Sequence, residues 1–393
     1  MSKGEVSERE WRLFADPVTG VPIRQLTDRG ANSHHLYFTN SGWYAGGSKL
    51  LFASERPGGA NLFSIALDDG AITQLTDLAP ADPARESSFL FASLNPAKPE
   101  VYFWHGADLV ALDLETLAER RIYRTPDGFL NNMTSVTADG RYLCTGHYAD
   151  LSREFKVDLL KGYVGFREYW SARPRSIIVR IDVATGDSNV VFEEDYWIGH
   201  VNASPTIPHI AMFCHEGPWD GVDNRIWGLD LESGRHWMIR PRRDGERIGH
   251  EYWLADGRRV GFHGATADGR SIFGVVGYDN QGLVEMPFAS RSTHIHSNDL
   301  SMIVGDGTRA DPHLYVWRCR DGSVSGPSAI VRHGSSFRVQ ATHVHPRFSP
   351  DGGQIVFVSD QGGFGNVYMI ETSALAAILD APVPSSGTKH TGA

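Results

Sequence analysis

The sequence predicts an all-β fold, a seven-bladed β-propeller closed by an N-terminal strand. Three observations carry that expectation. A phrase of four short strands recurs along the chain. Its copies start about 45–50 residues apart, the spacing of propeller blades. One strand-like segment also stands alone ahead of the first copy. The clearest copy is the last, HPRFSPDGGQIVFVSDQGGFGNVYMIET, where Asp351 and Gly352 suit a tight turn between strands. An earlier copy, SGWYAGGSKLLFASERPGGANLFSIALDDGAITQLTD, turns through DDG between its third and fourth strands. LDLETLAERRIYR, IDVATGDSNVVFEE and LDLESGRHWMIRP are further strand–turn–strand pieces. The copies start near Ser41, Phe89, Met133, His200, His250, His294 and His343. The lone segment, VPIRQLTD at 21–28, reads as a fourth strand for the last blade, which would close the ring and hide its sheet edges.

The propeller is expected over 21–375, after an extension at 1–20 and before a flexible Pro/Ser/Gly-rich tail at 376–393. The third unit is lengthened by a charged insert, 151–176, whose partly helical spacing places it over one face. With 41% hydrophobic and 21% charged residues the chain reads as globular, and no apolar run is long enough to cross a bilayer. Its opening, MSKGEVSEREWRLF, lacks the apolar core of a secretory signal, so a cytoplasmic location is expected. Cys144, Cys214 and Cys319 are scattered and odd in number, which points to reduced core residues. A net charge of -10 with no basic stripe excludes nucleic acid as partner. An acidic ligand would need a local basic pocket against that field.

Seventeen histidines become interpretable through the repeat. In units four to seven the inner strand opens with GHVNASP, GHEYWLADG, THIHSNDLS and THVHPRFSPDG, placing His200, His250, His294 and His343 at one phase. Inner strands line a propeller's channel, so these positions converge on one axis. His294/His296 and His343/His345 repeat the residue at i+2, the same face of a strand. Gln340 lies just before His343 and can add an oxygen. Three or four imidazoles with a carboxamide suit a divalent metal. Such histidines can also merely bond one another or hold water. Four at one phase, two of them as HxH, favour a site. His34 and His35 begin the first blade similarly, whereas His313 reads as structural.

A second cluster, FCHEGPWDGVDNRIW at 213–227, connects the second and third strands of the fourth unit. It should deliver His215, Glu216, Asp220, Asp223 and Arg225 beside the histidines. Arg225 can grip a carboxylate through two parallel hydrogen bonds, or simply brace its loop against Asp220 or Asp223. No GxSxG elbow or Walker loop is present.

Over essentially its whole length the chain resembles the oligogalacturonate lyases, polysaccharide lyase family twenty-two. PVTGVPIRQLTD, SHHLYF, WIGHVNASP, FCHEGPWDGVDNRIW, GHEYW, STHIHSN with VGDG, and QATHVHPRF carry the resemblance. It implies a seven-bladed propeller with Mn²⁺ at the channel mouth, held by His294, Gln340, His343 and His345. It also implies His250 as catalytic base and Arg225 as the arginine gripping substrate; His200 and His215, from the shared phase and the neighbouring cluster, are expected as further substrate contacts. Some members carry methionine at the position of His296 and phenylalanine at that of His313, so neither is a required ligand. The implied reaction is metal-assisted β-elimination on short uronic-acid chains from pectin. Two rivals are a propeller lyase for another uronic-acid glycan and a non-catalytic TolB- or WD-like interaction propeller.

Overall fold

The structure, a computed structural model, describes residues 2–56, 59–80, 87–156, 158, 164–288, 292–320 and 323–379. Seven antiparallel sheets make up the chain; five pair their four strands in sequence order, as short turns favour, and the first and the last also take in strands from the N-terminal segment. This is the seven-bladed propeller that the repeat predicts. The sheets share no strands, so the blades are held together by side chains and by a few backbone bonds such as Thr134 N–H to Phe91 O (3.1 Å). Cys144 and Ile178 of the third blade pack with Val201, Ala211 and Phe213 of the fourth. Met212 and Ile226 of the fourth pack with Val260 and Phe262 of the fifth. The valine, isoleucine, methionine and phenylalanine side chains among them contribute about 1.5–3 kcal/mol each when fully buried.

Pro22–Gln25 lies antiparallel to Asn366–Glu371 in the seventh sheet, with Arg24 opposite Met369 and Gln25 opposite Tyr368. The extension expected at 1–20 does not stand apart. Arg12–Ala15 pairs beside Pro22–Gln25, and Val6–Ser7 pairs with Ile72–Gln74 at the outer edge of the first blade. The insert ends earlier than the sequence suggested. Its helix is Phe166–Ser171, and Arg175 and Ser176 already belong to the strand Arg175–Asp182. Part of it, 157 and 159–163, lies outside the described residues, as does the tail from 380; Ala376–Leu379 is a short helix. All three cysteines are free. No helix among the described residues is long and apolar enough to cross a membrane.

Two irregularities shape the channel. First, three consecutive inner strands carry a bulge at one phase. Register shifts fall between Asn131 and Thr134 of Phe129–Val136, Gly199 and Asn202 of Ile198–Ala203, and Gly249 and Tyr252 of Arg247–Trp253. Two residues then oppose one, and the bulged strand re-aims a side chain. His200 and His250 adopt left-handed backbone there, with φ of 48° and 50°. Second, the inner strand of the first blade is interrupted. His34 pairs with Ala53 and Trp43 with Leu50, so residues 35–42 face only Leu51 and Phe52. The surplus chain enters the channel. Tyr37 N–H donates to Leu90 O (2.8 Å), and Asn40 Nδ2 donates to Ala92 O (2.8 Å) and Thr134 O (3.1 Å). The rings of Tyr37 and Phe38 reach histidines of the fourth to seventh blades. This plug leaves one cavity at each mouth, Tyr37 lining the first and Thr39 and Asn40 the second.

Candidate active site

The first cavity, about 350 Å³, lies at the mouth where the inner strands begin. Its wall brings together His200, Arg225, His250, His294 and Gln340, with Glu216, Trp219, Tyr37 and Asn132. Beside it His294, His343 and His345 form one group, their ligand atoms all within 4.8 Å of one another. All three are buried.

Each imidazole of the group is prepared for a cation. His294 Nδ1 meets Asp306 Oδ2 at 2.7 Å, which leaves Nε2 for the cluster. Asp306 is fully buried, and its other oxygen accepts the backbone N–H groups of Thr293 and His294, both at 2.8 Å. A carboxylate behind a histidine in this way orients metal-ligating imidazoles. Nδ1 of His343 and Nε2 of His345 are buried with no hydrogen-bond partner in the protein, a costly state that a bound cation relieves. Burial, and then His294, push His343 down to about 4 and hold His345 well below the usual imidazole value. Both rings are therefore neutral, the form that binds metal. Gln340 opens the short helical turn Gln340–Thr342 on the cavity wall. The donor set fits a divalent metal of borderline softness.

His296 departs from the i, i+2 expectation. Ile295–His296 is a two-residue strand and His294 precedes it, so the pair does not share one regular face. His296 stands by Tyr252 and Phe348 and lines the opposite cavity. His313 pairs with Asp311 at 2.9 Å, away from the site. His34 and His35 are buried where the plug begins, and neither lines the cavity.

His250 lies on the cavity wall with its ring centre 4.8 Å from that of His294 and 5.1 Å from that of Trp219. Its Nδ1 is 3.3 Å from His263 Nε2. Burial, together with His294, His263, His200 and Arg225, holds it well below the ordinary imidazole value. The imidazole is therefore uncharged at neutral pH.

Arg225 is braced, but not by Asp220 or Asp223. Nε and Nη2 donate to the two oxygens of Glu251 at 3.0 and 3.3 Å, and Nη1 donates to Glu216 at 2.8 Å. Two longer contacts complete the set, Nη2 with His200 Nδ1 at 3.4 Å and Nη1 with His215 O at 3.5 Å. Burial alone would raise Glu251 and Glu216, yet Arg225 and His200 hold both below the usual carboxylate range. His215, expected to touch substrate, does not reach the cavity. Its Nδ1 pairs with Asp223 (2.7 Å), its Nε2 with Glu194 (3.0 Å), and its ring stacks on Tyr196 at 4.0 Å. Burial opposes its charge, but those two carboxylates raise it above the ordinary value. The loop carrying these residues packs on the insert. A Cβ at Gly217, where φ is 145°, or at Gly221 would come within 2.3 or 2.6 Å of Trp170.

Sequence reasoning missed Asp306, Glu251, Asn132 and the plug residue Tyr37. Asn132 had a signal, since it holds the bulge position of His200 and His250. Glu251 and Asp306 lay within GHEYW and VGDG, but nothing in their spacing marked a carboxylate for burial.

Fold and site together define a β-propeller with a group of buried histidines able to hold a metal at one channel mouth. A family model described as oligogalacturonate lyase matches residues 1–375, and the chain belongs to that family. It is accordingly an enzyme, a carbon–oxygen lyase. It is 30% identical to an oligogalacturonate lyase of Dickeya dadantii over 394 residues, covering 94% of this chain and 98% of the relative. An oligogalacturonide lyase of Pectobacterium atrosepticum is 29% identical over 395 residues with the same coverage. A solved oligogalacturonate lyase in complex with manganese superposes with a TM-score of 0.85 at 27% identity, covering 94% of this chain and 98% of the other.

Proposed function

We propose that this chain cleaves short oligogalacturonates by β-elimination, using Mn²⁺ held by His294, Gln340, His343 and His345. The observation that carries the reading is the group of three buried histidines beside a cavity on which a further imidazole, His250, also opens. Bound there, the ion would supply the Lewis acidity that a free uronate carboxylate lacks, easing loss of the neighbouring C5 proton.

His250 takes the C5 proton. The electron pair left on C5 forms the C4–C5 double bond as the C4–O bond breaks, the departing oxygen takes up a proton from water, and the proton held by His250 returns to solvent. The products are a 4,5-unsaturated uronate and a shortened chain with a new reducing end. A positioned imidazole contributes about 10²–10⁴-fold to such a step. Arg225 receives the substrate carboxylate by exchanging its two long contacts, those to His200 and to the carbonyl of His215, which are the weakest it makes. Glu216 and Glu251 keep the guanidinium aimed meanwhile, and His200 lines the approach. Tyr37 closes the floor, so the substrate approaches from one side only.

The test is single-turnover elimination by His250→Ala at saturating oligogalacturonate and Mn²⁺, with bound manganese measured in parallel. The expected result is a rate lower by about 10²-fold or more with metal occupancy unchanged, because a proton acceptor adds little to ground-state binding. A rate within a few-fold of the parent would make His250 structural.

A further inference from the structure

The opposite mouth of the channel holds a second cavity, about 870 Å³, which the reaction above does not use. Its charged lining is unlike the rest of the molecule. Lys49, Lys98 and Arg347 face Glu115 alone, three cations to one carboxylate in a chain of net charge -10. Among the described residues neither lysine nor Arg347 has a carboxylate within ion-pair distance.

Arg347 is the telling member. Its Nη1 donates to the carbonyl oxygen of Phe38 in the plug, and its Nε is buried with no acceptor. The three fully buried arginines are matched, while Arg180, half-buried like Arg347 and with its Nε also lacking an acceptor, lies over the ring of Tyr142 instead. Arg225 has Glu216 and Glu251, Arg240 has Glu246 and Glu285, and Arg56 has Glu10. A guanidinium taken from water without a counter-charge is costly, and the usual remedy is a bound anion with matching oxygens. The same cavity wall carries the amide of Asn298, the imidazole of His296 and the indole of Trp253, a lining of ring and polar edges.

We propose that this cavity binds a small carboxylate or oxyanion at Arg347, with Lys49 and Lys98 drawing it in from the rim. The site lies across the Tyr37–Phe38 plug from the histidine cluster, so its occupant never meets the reacting bond.

Anomalous diffraction from crystals of the manganese-loaded protein soaked in selenate tests the location directly. The expected result is a selenium peak within hydrogen-bonding reach of Arg347; its absence there overturns the proposal. Calorimetric titration with inorganic phosphate and, separately, with D-galacturonate then measures the ligand class. Tighter binding of galacturonate would assign the ring-lined wall to a sugar acid, and tighter binding of phosphate would assign a free oxyanion. Both outcomes support an anion site. His343→Ala protein should bind the better probe within a few-fold of the parent, since the site is independent of the metal. Arg347→Met should lose binding by tenfold or more. Lys98→Met, at the exposed rim, should weaken it by a smaller factor that shrinks further at high salt. If neither probe binds the parent, or Arg347→Met and Lys98→Met both bind as the parent does, the proposal fails.

Discussion

Asp306 fixes the ring of His294, and through it the heading of the metal group. Asp306→Asn keeps the volume and loses the charge, so manganese affinity should fall about 10–100-fold while the fold survives. Titration of the metal-free protein with Mn²⁺ reads this out, and unchanged affinity would make the pair incidental. Glu251 is the corresponding partner for Arg225. Removing its charge in Glu251→Gln leaves a buried guanidinium half-matched, and breaking such a pair costs about 3–5 kcal/mol of stability. Denaturant midpoints should shift accordingly. The two carboxylates show where reading residues in sequence stops. The histidines announced themselves by phase, since blades repeat and equivalent positions converge. A carboxylate that supports another side chain through burial carries no period.

Single elements account for the rest of what the sequence concealed. SHHLYF resembled the start of an ordinary blade, and its first pairing, His34 with Ala53, is ordinary. Only the next pairing, Trp43 with Leu50, shows that the intervening residues leave the sheet. Alternation of apolar residues reads the same in a strand as in a plug that buries its rings on several sides. Phe38 is fully buried among histidines of three blades, so Phe38→Ala should cost about 3–5 kcal/mol and loosen His294 and His345. Lower stability with weaker manganese binding is the expected pair of results. A second element, the seam between blades two and three, sets an acid limit. His147 is buried against Trp104 and Tyr123, and burial pushes it down to about 4 from 6.5. Between those values the unfolded chain takes a proton that the folded one refuses. Its effect on stability is therefore nil above 6.5, grows as pH falls, and levels off below about 4, with a slope up to about 1.4 kcal/mol per pH unit. His147→Phe should flatten the dependence of the denaturation midpoint on pH over that interval by this amount.

At the scale of the whole molecule, the period of the repeat was enough to predict the ring, because blade number follows from spacing and length. The division of the channel was not, because it depends on how far one interrupted strand enters the axis. That division makes the active mouth a blind cavity lined by histidines, in an acidic protein whose ligand is an anion. Elimination by this site requires both the uronate and the metal. Ultraviolet absorbance of the conjugated unsaturated uronate, followed after mixing with oligogalacturonate, measures that reaction directly. Manganese-loaded protein should give a steady rise, chelated protein none, and re-addition of Mn²⁺ should restore it. No rise from the loaded protein, or a rise that survives removal of the metal, would contradict the account.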